Sequence, residues 1–183
     1  MVYRLKKTVV MVGMMGAGKT AVGTAVARLL GVPFTDSDDA IVEAANMTIA
    51  EIFERDGEAF FRDKERQVIA RLLEAPPQIL STGGGAFLSP ENRSLINDGG
   101  AALWLRADLK LLWERVRHKT TRPLLRTENP HETLKALLEA RDPFYALAPY
   151  VVDAQPGISI DEMAMKVINT LLQHPDLLEK DPA

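Results

Sequence analysis

The 183-residue sequence contains no cysteine, which excludes a disulfide framework, thiol catalysis and cysteine-ligated zinc at once. Its three histidines, His118, His131 and His174, have no metal-like spacing. No apolar run approaches the ~18 residues needed to span a bilayer. Positive charge is not in excess: 22 Lys and Arg stand against 25 Asp and Glu, a net charge of −3, and the cations are spread along the chain. That balance argues against a nucleic-acid binder held by a basic surface. The opening MVYRLKKTVV runs straight into a glycine-rich loop rather than into a signal-peptide core and cleavage site. There is no internal repeat, no low-complexity linker and no exposed heptad, so the expectation is a soluble, cytoplasmic monomer.

What is present is an ordinary globular composition, 46% hydrophobic and 26% charged, at the length of one domain. Short apolar runs alternate with longer amphipathic segments, as in βα units around a parallel sheet. The strand candidates are residues 8–12, 33–37, 78–82, 101–105 and 149–153. Helices are expected over 19–30, stopped by Gly31, and over 39–46. A further helix opens on a Thr48/Glu51 capping box and ends at Gly57, followed by one over 58–74. Ser89 and Pro90 start another, Asp108 caps 109–118, and apolar spacing predicts a last helix over about 160–173. The tail from 174 to 183 reads as frayed. Two stretches exceed what simple crossovers need. One, about 37–66, suggests ligand handling, and the other, the polar stretch about 117–130, suggests a lid.

Gly13-Met14-Met15-Gly16-Ala17-Gly18-Lys19-Thr20 fits the phosphate-binding P-loop between a strand and a helix. Its glycines let successive N–H groups point at phosphate oxygens, and the following helix adds its positive end. Lys19 can reach the β- and γ-phosphates of a nucleotide, and the Thr20 hydroxyl suits magnesium. Met14 and Met15 read as loop packing. A P-loop leaves the acceptor open.

Asp36 and Asp38 stand at the carboxyl end of the second strand candidate, the edge where parallel sheets bind ligands. One carboxylate could hold magnesium, directly or through water, and the other could take a proton from an incoming hydroxyl. The alternative is that Asp38 or Ser37 merely caps the next helix. The third strand candidate ends in Ser81 and Thr82, where many P-loop ATPases carry a metal-binding aspartate, which shifts that task onto Asp36. Arg62, Glu65 and Arg66 share a helix face. They form either a solvated ion-pair face or an arginine aimed at an anionic substrate and oriented by Glu65. Gly83-Gly84-Gly85 follows a strand, where one glycine would serve a turn, and close approach of a ligand to bare backbone is the better explanation. Arg122 sits in the polar stretch and Arg141 just before Pro143.

In order along the chain, GMMGAGKT, DSD, FRDKE, GGGA, RPLL and RDPFY resemble the shikimate kinase family from about residue 8 to residue 153. The resemblance implies a three-layer α/β/α P-loop fold with a five-stranded parallel sheet, a lid and a substrate-binding segment, in one kinase domain over 1–173. It implies Mg2+-dependent transfer of the γ-phosphate of ATP to the 3-hydroxyl of shikimate, in the shikimate pathway to chorismate and the aromatic amino acids. Carried over by position, Gly13, Gly16, Ala17, Gly18, Lys19, Thr20, Arg115 and Arg122 would bind ATP. Thr20 and, through water, Asp36 would serve magnesium. Asp38, Arg62, Gly83, Gly84, Gly85 and Arg141 would bind shikimate, with Asp38, Lys19 and Arg122 catalytic, and Arg115 would pack near adenine. The stretch VDAQPGIS lacks a basic residue that some members place beside the adenine. A gluconate or nucleoside-monophosphate kinase and a nucleotide-binding regulatory module are the rival readings.

Overall fold

The computed structural model describes residues 2–118 and 126–182. Its strands are β1 (Val2–Leu5), β2 (Thr8–Val12), β3 (Phe34–Asp36), β4 (Ile79–Ser81), β5 (Gly100–Arg106), β6 (Tyr150–Asp153) and β7 (Leu178–Asp181). The five expected from the sequence form one parallel sheet of order β3-β4-β2-β5-β6. Val10 of the central β2 is in register with Leu80 of β4 and Ala102 of β5. All five residues of β2 are buried, as its unbroken apolar run requires of a strand covered on both faces.

The helices are α1 (Lys19–Leu30), α2 (Ser37–Ala45), α3 (Ile49–Glu74), α4 (Pro90–Gly99), α5 (Leu109–Val116), α6 (Pro130–Tyr145) and α7 (Ile160–Leu172). α1 packs against α7, while α3 packs against α4 and α5 against α6, giving helical layers on both faces of the sheet. Right-handed crossovers demand this split, because the chain leaves β2 toward one edge and then returns past it toward the other. The carboxyl end of β2 is therefore where the connections diverge, and the P-loop occupies it.

Local sequence explains most boundaries. Gly31 ends α1 at φ 69°, its N–H directed at Ala27 and Arg28 carbonyls. α3 is broken at Gly57, whose φ of 85° and ψ of 171° no helix contains, so two helices meet there as the sequence predicts. Thr48 accepts from the Glu51 N–H at 3.1 Å, but its hydroxyl also donates to the Glu51 side chain at 3.1 Å instead of completing a reciprocal capping box. Ser89, Asp108 and Ser159 cap α4, α5 and α7. Pro143 is tolerated inside α6 because the carbonyl it leaves unpaired, four residues back at Glu139, belongs to an exposed residue.

The main core surrounds the sheet. Ala40, Ile41, Ile52, Phe61 and Val68 make a second, small cluster beneath α2 and α3, so the 37–66 segment has apolar packing of its own. The frayed tail expected from the sequence is corrected by β7, which pairs antiparallel with β1, Leu5 facing Leu178. Leu177 and Leu178 are each 1% exposed, and Glu179 forms ion pairs with Arg4 and Lys6, so the two chain ends are packed together.

Candidate functional site

A cleft of about 610 Å³ runs along the carboxyl edge of the sheet. The P-loop lies on one side, Asp36, Asp38, Ser81, Thr82, Gly83 and Gly84 at one end, and Arg115 with Ile158, Ser159, Ile160 and Met163 at the other. Gly13, Gly16 and Gly18 take φ values of 145°, 83° and 101°, which side-chain-bearing residues rarely adopt, and so curl the backbone around the cleft. Met14 is buried and Met15 packs against the core, as expected of loop packing. Lys19 Nζ donates to the Gly13 carbonyl and to that of Met14 at 3.3 Å, folding back over the loop. Arg115 of α5 donates from Nη1 to the carbonyls of Gly16 (3.0 Å) and Ala17 (2.9 Å), tying α5 to the loop.

Of the two aspartates, the helix cap is Asp36, neither Asp38 nor Ser37: Asp36 Oδ1 accepts from the N–H of Asp38 at 2.8 Å and of Asp39 at 3.3 Å. Burial raises its carboxyl above the usual range, opposed by those two bonds. Asp38 is perturbed further. Burial, then the neighbouring Asp36 and Glu65 carboxylates, push it up to about 6 against the opposing charge of Lys19. Its Oδ1 is buried with no hydrogen-bond partner among the described residues. A carboxylate held this way at a cleft has unspent capacity to accept a proton or a donor.

The glycine triplet has a reason the sequence did not disclose. A Cβ at Gly83 would lie 3.0 Å from both carboxylate oxygens of Asp38; one at Gly84, 2.7 Å from Arg141 Nη1; one at Gly85, 2.6 Å from Arg62 Nη2. None of the three has a positive φ, so space, not backbone conformation, requires them. Gly83 and Gly84 do line the cleft, but the volume a Cβ would fill is taken by three polar side chains.

These side chains arrive from α2, α3 and α6. Glu65 is 1% exposed and binds Arg62 Nη1 with both oxygens, at 3.0 and 3.2 Å, so the partly exposed Arg62 is held by a buried anchor. Arg66 pairs instead with Asp63. Tyr145, one helical turn from Arg141 on α6, is fully buried and donates to the Gly84 carbonyl at 2.6 Å. Sequence reading passed over Tyr145, for which the i, i+4 spacing within RDPFY was the available signal. Arg122 lies outside the described residues.

For a metal, Thr20, Asp36 and Asp38 are among the oxygen-bearing residues that line the cleft, and hard oxygens suit magnesium. Among the described residues no three His, Cys, Asp or Glu side chains cluster as a metal cage. Also among the described residues, no helix is long and apolar enough to cross a membrane.

A protein-family model described as shikimate kinase matches residues 15–172. The shikimate kinase of Cereibacter sphaeroides is 64% identical over 97% of this chain and 89% of its own, and that of Ruegeria pomeroyi 62% identical over 96% and 90%. The solved shikimate kinase of Acinetobacter baumannii, in complex with shikimate, superposes with a TM-score of 0.84 at 38% identity, covering 91% of this chain and 93% of that one. A P-loop kinase fold with this cleft and these relatives leaves one conclusion: the chain belongs to the shikimate kinase family.

Proposed function

We propose that the chain transfers the γ-phosphate of Mg-ATP to the 3-hydroxyl of shikimate, with Asp38 as base and Arg62 and Arg141 gripping the acid's carboxylate. The observation that carries this reading is the convergence of Asp38, Arg141 and Arg62 on three consecutive glycines at the ligand edge of the sheet. Two guanidinium groups suit a carboxylate, and an underpaired carboxylate beside them suits a hydroxyl of the same small molecule.

Phosphoryl transfer needs positioning and charge neutralisation more than covalent participation. The P-loop N–H groups and Lys19 hold the phosphates, and Arg115 keeps the loop carbonyls turned away from them. Thr20 and Asp36 would hold magnesium, Asp36 through water, its Oδ1 being occupied by the helix cap; the ion supplies positive charge to the phosphates. Asp38 takes the hydroxyl proton as that oxygen bonds to the γ-phosphorus, and the bond to the β–γ bridging oxygen breaks to release ADP. Arg122 adds positive charge to the transferring group on the same reading. The end of the cleft beside Arg115 and α7 takes the nucleoside. The enzyme works as a cytoplasmic monomer without a nucleic-acid partner.

The test is ADP release from purified protein with Mg-ATP, alone, with shikimate and with gluconate. Turnover with shikimate only is expected. ADP release indifferent to shikimate, or driven by gluconate, would reject the acceptor while leaving nucleotide binding intact.

A further inference from the structure

Asn92, in the first turn of α4, is 1% exposed and does not line the cleft. Its Nδ2 donates to Glu65 Oε1 at 3.3 Å and to the Ala86 carbonyl at 2.9 Å. Both neighbours are acceptors, so the amide's orientation is fixed: turned over, its oxygen would face a carboxylate and a carbonyl. In that orientation Oδ1 is buried without a hydrogen-bond partner among the described residues. An orphaned buried carbonyl is costly, and what the amide gains against that cost is its two donated bonds, one of them to the buried Glu65 carboxylate. The position therefore uses a buried polar group for those two bonds.

What the amide joins explains why. Glu65 is the anchor of Arg62, and Ala86 directly follows Gly85, the residue over which the Arg62 guanidinium lies. Arg93, the next residue of α4, reinforces the same turn by donating to the carbonyls of Phe87 (2.8 Å) and Leu88 (3.1 Å). Asn92 thus ties the helix that carries Arg62 to the glycine turn that makes room for it.

We propose that Asn92 is a positioning residue for substrate binding, acting through Glu65 to hold the Arg62 guanidinium above Gly85. The inference rests on the reading of Arg62 as a carboxylate ligand. It assigns Asn92 to shikimate binding, so its replacement should weaken that binding while ATP binding stays in place.

The experiment measures kcat, the KM for each substrate and Tm in Asn92→Leu, Glu65→Gln and the double variant, with Arg62→Lys as reference. Asn92→Leu should raise the KM for shikimate about fivefold to tenfold, with kcat and the KM for ATP within about twofold. Its Tm should fall modestly, because the buried Glu65 carboxylate and the Ala86 carbonyl each lose a donor. If Asn92 acts through Glu65, adding Asn92→Leu to Glu65→Gln should raise that KM by less than about twofold further. An unchanged KM in Asn92→Leu, full additivity in the double variant, or a fall in Tm with both KM values rising would each overturn the proposal. Asn92→Ser, which cannot overfill the site, enters the same cycle should the leucine not fold. An Arg62→Lys variant with normal KM for shikimate would remove the underlying reading of Arg62 as well. A raised KM there beside a silent Asn92→Leu removes only the role of Asn92.

Discussion

Gly84 lies against the guanidinium of Arg141, leaving room that a methyl group would occupy 2.7 Å from Nη1. Gly85 stands in the same relation to Arg62. In both cases the obstructed atom is the far end of a long side chain, which can swing aside at little cost to the fold. Gly84→Ala and Gly85→Ala should therefore fold with a stability loss below about 1 kcal/mol while displacing one arginine each. The expected kinetic signature is a KM for shikimate raised about tenfold or more, with the KM for ATP little changed. Equal losses in Tm and in both KM values would mean that the glycines serve the backbone instead.

The tail makes a different kind of prediction. Leu178 is buried between the clasped chain ends, so Leu178→Ala should cost about 2–4 kcal/mol in urea unfolding. Its position beside β1, remote from the cleft-lining residues, implies unchanged kcat and KM values at 25 °C. A variant as stable as the parent would show that the terminal ribbon is not part of the cooperative fold.

These two cases mark where sequence reasoning succeeds and where it stops. The P-loop, α1 and β2 were legible because apolar run, glycines and helix start are contiguous, so local pattern and local structure coincide. Gly57 was legible as a break for the same reason. The pairing of Leu178 with Leu5 was not, since each strand is short and its partner is at the other end of the chain. The glycine triplet was visible as an anomaly, yet its cause depends on side chains delivered by three helices. Which residue caps α2 likewise turned on a shift of that helix's start from 39 to Ser37, which moved the cap to Asp36.

Arg115 offers a test of the nucleotide side. Its two bonds to the Gly16 and Ala17 carbonyls tie the loop to α5, and a lysine side chain, one bond shorter, stops its ammonium short of the position Nη1 takes. Arg115→Lys should raise the KM for ATP by about fivefold, leaving the KM for shikimate within about twofold. The reverse pattern would place Arg115 with the acceptor.

Asp38 predicts opposite pH dependences for stability and activity. Its carboxyl is raised from 3.8 to about 6 in the folded protein, chiefly by burial. The native state therefore binds this proton more tightly than the unfolded chain does. The resulting stabilisation is complete below the unfolded value, declines as pH climbs and is gone above about 6. At pH 7.5 the ionised group is a burden on the fold, and Asp38→Asn should be more stable than the parent by about 3 kcal/mol. Activity runs the other way, because only the ionised carboxylate can accept the hydroxyl proton. The kcat/KM for shikimate should rise with pH along a limb centred near 6 in the free enzyme. In Asp38→Asn that limb should vanish, with turnover at pH 7.5 lowered by about 10²–10⁴-fold while ATP still binds. A variant that gains stability and keeps its turnover would leave Asp38 a binding group and send the search for the base elsewhere in the cleft.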